Sequence, residues 1–445
     1  MGTPTRIVIV GAGFAGATCA RTLERALRSR RDVEIVLLDR HNYFVFTPLL
    51  VEAGTGSLHP RHAVVSIRAF LKRSRFVMAE VTAVDPAARQ LRYRLEPGAP
   101  ERALDYDHLV LALGSVTRLP PVPGLAEHGF ELKSLADAVA LRDRAIAMLE
   151  LAEATDDDAQ RRALLHVVVV GGNFSGVEVA GEFLAFLREA SRRYARVRPS
   201  DCRVTLVELG DTILSALGGP LSRYAEKRLG KMGVDVITRH AVDAIGPAHA
   251  QLDDGRRLDT RTVIWCAGIA APPPLWDGAL PTDPQGWLLC EPDMRIRGQE
   301  RVWGIGDCAV NVDAAGRTLP ATAQSAVQEG AQLAGNLAAV LRGDAARPLR
   351  YRDRGALAAL GCRTGVAQVF GIKLSGFPAW FLWRTVYLSK MPGLGRKLRV
   401  TLDWTLDLLF RRDVVALGLH ARHAHSAPGT RQAAAAGSEA ARPPD

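Results

Sequence analysis

At 445 residues the chain is too long for one ordinary core, so two or three domains are expected, and a hydrophobic share of 48% is enough to bury them. The net charge of +10 is local: residues 345–422 hold 14 Lys/Arg against 4 Asp/Glu, and the rest of the chain is neutral. That argues against a nucleic-acid-binding protein, which carries basic surface as its main feature. The six cysteines show no close pair and no zinc spacing, so no metal is expected and the thiols read as reduced and packed, Cys308 and Cys362 among them.

The chain enters "RIVIVGAGFAGATCARTLERAL" at once, with no visible signal peptide, and reads there as strand, glycine turn and helix. Gly11, Gly13 and Gly16 complete a G-x-G-x-x-G. Gly11 permits the tight turn, Gly13 the approach of a pyrophosphate to the helix N-terminus, and Gly16 close helix–strand packing. Asp39 ends the next strand, "EIVLLD", where a carboxylate can hold a ribose hydroxyl. Strand-like stretches "RFVMAEVTAVD", "RQLRYRLE" and "DHLVLALGS" follow, then a "PPVPG" connector and a helical pattern over 134–153.

"HVVVVGGNFSGVEVAGEFLAFL" repeats the first unit 160 residues later. Asn173 stands at the middle glycine position, where its tolerance of positive φ would let the turn form and its side chain would restrict pyrophosphate approach. Glu208 ends "RVTLVE" and would repel a 2′-phosphate, which favours NADH over NADPH. After "TVIWCAG" and "PPPLW", the stretch "RVWGIGD" reads as a strand returning to the first unit. In "AQSAVQ", Gln324 and Gln328 stand four apart, on one helix face. From spacing alone they are surface amides.

The expected fold class is α/β: two Rossmann-like dinucleotide-binding domains, one discontinuous (1–120 and 277–344) and one inserted (121–276). A carboxy-terminal amphipathic segment (345–422) and a disordered tail (423–445) follow. The basic segment carries Trp380, Phe381, Trp383, Tyr387, Trp404 and Phe410, a pattern that suits an anionic lipid surface; the bland alternative is a solvated Arg-rich face. The longest apolar run, near 374–391, is interrupted by Arg384 and Lys390 and does not reach transmembrane length. Two dinucleotide units suggest a flavin and a nicotinamide.

The first glycine loop, "YFVFTPLL", "LVLALGS", "VVVVGGNFSGVEVAGEF", "VIWCAG", "WGIGDCA", AQSAVQ, "GFPAWFLWRTVYL" and "LDWTLDLLF" together resemble the type II, non-pumping NADH:quinone oxidoreductases. The resemblance runs from about residue 5 to 412. It implies non-covalent FAD, NADH and a membrane quinone, with the protein held peripherally on the cytoplasmic face of the cell membrane and pairing as a homodimer. It implies that Asp307 binds the flavin's ribityl–pyrophosphate region and that the helix starting near Thr322 aims its amides at the flavin. Gln324 and Gln328 match quinone-side glutamines, Glu178 a glutamate beside the nicotinamide, and Lys373 a lysine near the quinone pocket. Further cofactor contacts are implied for Phe14, Ala15, Arg40, Pro48, Val81, Gly114, Gly171, Gly172, Phe174, Ser175, Gly176, Ala267, Gly268, Gly306 and Ala323. The rival readings are a sulfide:quinone or other flavin-dependent oxidoreductase, and a nucleotide-binding regulator with little turnover, for which Asn173 is the best argument.

Overall fold

The computed structural model describes residues 4–418, so the tail expected over 423–445 lies outside the described residues. Two parallel five-stranded sheets organise the first three-quarters of the chain. In the first the order is Val302–Gly304, His108–Leu111, Thr5–Val10, Val33–Asp39, Arg75–Met78. The Val302–Gly304 strand pairs in parallel with His108–Leu111, so "RVWGIGD" does return to the first unit. In the second the order is Gly129–Glu131, Thr262–Trp265, His166–Val170, Arg203–Glu208, Val234–Thr238. The inner strands of both sheets are near-continuous runs of Val, Ile and Leu because both faces are covered. Each sheet carries a three-stranded antiparallel sheet beside it, Glu80–Asp85 to Arg102–Asp105 in one and Val242–Gly246 to Arg257–Asp259 in the other.

The helix Ala323–Val340 packs along Phe14–Ala26 in the first unit's core. Contact is close enough that a Cβ on Gly330 would sit 2.3 Å from the Ala15 carbonyl oxygen. Glycine there brings the AQSAVQ helix against the glycine-loop helix.

The carboxy-terminal part is a third antiparallel sheet (Ala356–Gly361, Thr364–Val369, Ile372–Gly376) followed by helices Phe377–Lys390 and Leu394–Leu409. The sheet lies on the helix Phe174–Ser191, where a Cβ on Gly181 would fall 2.1 Å from the Leu360 carbonyl oxygen. Trp380, Trp383 and Trp404 are buried, with Trp383 only 1% exposed, so three of the six aromatics expected at a lipid surface belong to the core. The outward face is leucine instead. Leu394, Leu398 and Leu402, spaced by four, are 74%, 63% and 57% exposed, and Leu406, Leu409, Phe377, Phe381 and Phe410 are exposed too. Among the described residues no helix is long and apolar enough to cross a membrane.

Candidate functional site

Each glycine loop leaves the carboxyl end of its sheet's central strand, where open α/β sheets bind ligands. The two loops match at their first and last glycines and at the phenylalanine between them. Gly11 and Gly171 have φ of +99° and +106°, a left-handed backbone that favours glycine. A Cβ on Gly16 or Gly176 would sit 1.9 or 1.8 Å from the carbonyl oxygen of Gly11 or Gly171. The acids match as well. Asp39 accepts from the amides of Ala12 (2.7 Å) and His41 (2.7 Å), and Glu208 from those of Gly172 (2.5 Å) and Gly210 (2.6 Å). The carboxylates expected on a ribose therefore also pin their own loops.

The loops differ at the middle position. Gly13 opens the helix Phe14–Ala26 with no side-chain cap, and a Cβ there would meet nothing within 4 Å. The protein's own packing does not require this glycine; it keeps open a cradle at a helix N-terminus that a pyrophosphate fits. Asn173 has φ of −76°, so positive φ is not what admits it. Its side chain folds back to cap the helix, accepting from Gly176 N at 3.0 Å and donating to the Cys266 carbonyl at 2.6 Å. The amide is thus committed to the loop.

The Gly306–Asp307 loop sits beneath this first cradle, with Gly306 at φ +73° and a Cβ there 3.1 Å from Ala15 Cβ. Glu329, unsuspected from sequence, holds the loop from below. It is buried and accepts from Gly306 N (2.5 Å) and Asn311 Nδ2 (3.0 Å); burial raises its pKa to about 7. Thr322 caps the helix Ala323–Val340 by accepting from Ser325 N at 3.2 Å, leaving the amides of Ala323 and Gln324 at the helix start without an intrahelical partner. Phe14 packs on Phe44 and Phe46 at 5.7 Å, and Phe46 on Tyr387 at 6.3 Å. The first cradle is thereby linked to the carboxy-terminal helices. Pro48 lies in the short helix Thr47–Leu49, Val81 in the half-buried edge strand Glu80–Asp85, and Arg40 is exposed. Gly114 and Gly268 occupy positive-φ turns, with Ala267 beside Gly171.

Gln324 and Gln328 share a half-buried face, and both amides are engaged. Gln324 Nε2 donates to Tyr351 Oη (3.1 Å) and Asp353 Oδ1 (3.2 Å). Gln328 donates to the Arg352 carbonyl and accepts from Arg352 N, both at 3.0 Å. The pair grips the connector into the carboxy-terminal sheet, a contact that spacing alone does not reveal.

Glu178 lies on Phe174–Ser191, and its Oε1 accepts from Ala359 N (3.0 Å) and from Trp383 Nε1 (3.1 Å), both in the carboxy-terminal part. Burial pushes its pKa up to about 8, so the carboxyl is mostly protonated at neutral pH. Nearby, Glu52 accepts from Trp404 Nε1 at 2.7 Å and faces Arg384 at 3.6 Å, with burial raising it to about 7. The Arg384 guanidinium stacks between Trp380 (4.4 Å) and Trp404 (4.6 Å). Glu182 pairs with Arg412, which also binds Asp407 and Glu189. Two of the basic segment's arginines are therefore internal braces. Lys373 stands exposed on Ile372–Gly376, opposite Gln368 in the ladder.

The cysteines are free. Burial pushes the Cys266 and Cys308 thiols up to about 12 and Cys290 well above its ordinary range. Cys362 is not packed but exposed, at a hairpin turn where it and Arg363 both have positive φ. His240, Asp253 and Asp254 bring ligand atoms within 4.8 Å of one another, a surface cluster that the 2.8 Å hydrogen bond between His240 Nδ1 and Asp253 Oδ1 explains.

Comparison with known proteins agrees with this arrangement. The pyridine nucleotide-disulphide oxidoreductase family model matches residues 5–330, and that of the NDH2 C-terminal domain matches 354–413. The chain is 30% identical over 423 residues to the type II NADH:quinone oxidoreductase NdhA of Mycobacterium tuberculosis, covering 91% of this chain and 87% of that one. It is 32% identical over 405 residues to the demethylphylloquinone reductase NdbB of Synechocystis, covering 90% and 95%. The fold is shared with Plasmodium falciparum NDH2 in complex with NADH, at a TM-score of 0.85 and 20% identity over 92% of this chain and 99% of that one. The duplicated nucleotide loops and the sheet-and-helix module stacked on the second belong together: the chain is a member of the type II NADH:quinone oxidoreductases, within the pyridine nucleotide-disulphide oxidoreductase family.

Proposed function

We infer that this chain is an FAD-dependent NADH:quinone oxidoreductase that carries electrons from NADH to a membrane quinone without pumping protons. The observation that carries the reading is Glu178, which rises from the second nucleotide loop's helix and is bonded to the carboxy-terminal sheet and Trp383. Bound FAD supplies hydride acceptance from NADH and electron delivery to quinone. The open cradle of Gly11, Gly13, Phe14, Ala15 and Gly16 suits its pyrophosphate, with Asp39 and Asp307 on its sugar hydroxyls. The loop Gly171–Gly176 suits NADH, where the Glu208 carboxylate repels a 2′-phosphate. Gln324 and Gln328, quinone-side by resemblance, hold the Tyr351–Asp353 connector, and Glu178, mostly protonated at neutral pH, can give a proton to the quinone. Lys373 belongs to this quinone side by resemblance.

The exposed leucine and phenylalanine face of the last two helices supports peripheral attachment to an anionic bilayer, on the cytoplasmic face of the cell membrane. Domain limits of 1–120 with 277–344, 121–276 and 345–422, and a homodimer, are part of the same proposal.

Anaerobic titration of the purified holoprotein tests it. NADH should bleach the flavin and a soluble quinone should restore its colour. Bleaching by sulfide but not by NADH would favour the sulfide reading, which the raised thiol pKa values of Cys266, Cys290 and Cys308 oppose. No bleaching by either would favour the regulator.

A further inference from the structure

A hydrogen-bonded chain crosses between the two nucleotide units. Lys133 Nζ donates to Ser115 Oγ at 2.9 Å, and Ser115 Oγ is 3.1 Å from Asp307 Oδ2. The direction is forced: an ammonium only donates, so the Ser115 hydroxyl accepts from Lys133 and spends its one proton on Asp307. Lys133 stands just before the helix Leu135–Ala154, and its backbone is locked there. Asp137 Oδ2 accepts from the amides of Lys133 (3.0 Å) and Ser134 (2.7 Å), and Ser134 Oγ accepts from Asp137 N at 3.1 Å, a closed capping box. Two residues earlier, Glu131 ends an edge strand of the second sheet. The second unit thus sends a half-buried cation into the first unit's Gly306–Asp307 loop. Burial lowers the Lys133 pKa, while Asp307 and Glu131, the acids facing it, hold it charged.

We infer that Lys133 is a positioning residue for the flavin: acting through Ser115, it neutralises and orients Asp307, so that the second nucleotide unit helps hold the cofactor of the first. This rests on Asp307 being a flavin-side residue. A carboxylate that accepts sugar hydroxyls beside a doubly charged pyrophosphate is repelled by it, and a fixed ammonium one hydroxyl away offsets that repulsion. The chain also keeps the Asp307 carboxylate from swinging into solvent when no hydroxyl is present.

The test is the FAD dissociation constant of the full-length protein, read by flavin fluorescence on dilution, with thermal unfolding of each apoprotein as the control. Lys133→Met should weaken FAD binding by about tenfold or more, as expected for losing a charge-assisted hydrogen bond. Ser115→Ala should do the same, the double variant should be no worse than the weaker binder of the two, and Lys133→Arg should restore most of the affinity. If Lys133→Met does not fold, Ser115→Ala and Lys133→Arg carry the test. Loss of FAD in Asp307→Asn with unchanged affinity in Lys133→Met and Ser115→Ala overturns the inference. So do losses that multiply in the double variant. Unchanged affinity in Asp307→Asn overturns instead the flavin-side reading of Asp307.

Discussion

Burial makes Glu178 an unusual carboxyl. Its two donors, Ala359 N and Trp383 Nε1, serve one oxygen, and desolvation still wins over them. With a pKa of about 8 the group is an acid at neutral pH and ionises as pH climbs past that value. Glu178→Gln should slow quinone reduction by roughly 10²-fold or more, the scale of a lost general acid, and leave flavin reduction by NADH nearly intact. Stopped-flow measurement of the two half-reactions separates these. The wild-type quinone step should fall as pH rises through about 8, and the variant should not show that fall. The sign for stability follows too. A carboxyl whose folded pKa lies above its unfolded value binds more protons when folded, so its contribution declines as pH rises from the ordinary carboxyl range to that folded value. Between pH 5 and 8 the Tm of Glu178→Gln should therefore rise relative to wild type. Family resemblance makes position 178 a candidate, and the structure adds its burial and its two bonds to the carboxy-terminal part. Glu52, Glu329 and Lys133 were not legible in the sequence, because their meaning lies in partners far along the chain: Glu52 meets Trp404 across 352 residues.

The AQSAVQ helix and the final helix pose the same problem at the scale of elements: which way a face points. The i,i+4 spacing put Gln324 and Gln328 side by side, but the connector they hold was hidden. Gln324→Leu or Gln328→Leu should impair quinone reduction while sparing flavin reduction by NADH. Gln328→Leu also loses both its bonds to Arg352 and should destabilise the fold by about 1–3 kcal/mol, measurable as a lowered Tm. In Leu394–Leu409 composition identified an amphipathic segment but not its polarity. The tryptophans face inward, onto Glu52, Arg384 and the core, and the leucines face out. Truncation near residue 375 would therefore remove buried core along with the exposed leucines. Surface substitution discriminates better: Leu398→Lys with Leu402→Lys should release the protein from anionic vesicles in a flotation assay with Tm nearly unchanged. Each leucine contributes about 1.5–3 kcal/mol if fully buried in lipid. Retention on the vesicles would remove the helix from the attachment surface.

At the scale of the molecule, the duplication was readable because glycine loops encode their geometry locally, down to the matching acids at 39 and 208. The stacking of the third sheet on Phe174–Ser191 was not, since the glycine that allows it, Gly181, looks like any helix glycine until Leu360 is placed against it. Gly181→Ala would place a Cβ 2.1 Å from the Leu360 carbonyl oxygen, so the sheet must move off the helix, at a cost of about 1–3 kcal/mol seen as a lower Tm together with a weakened quinone step.

The helix Phe174–Ser191 has 18 residues and so runs about 27 Å. It begins at one nucleotide loop, passes Glu178 and Gly181 under the third sheet, and reaches Glu189, where Arg412 ties down the last described stretch of chain. A rod clamped at several points does not tilt at one end without moving the other. NADH affinity and the affinity for a quinone analogue should therefore be linked, each shifting the other by the same factor, as thermodynamic reciprocity requires of any such coupling.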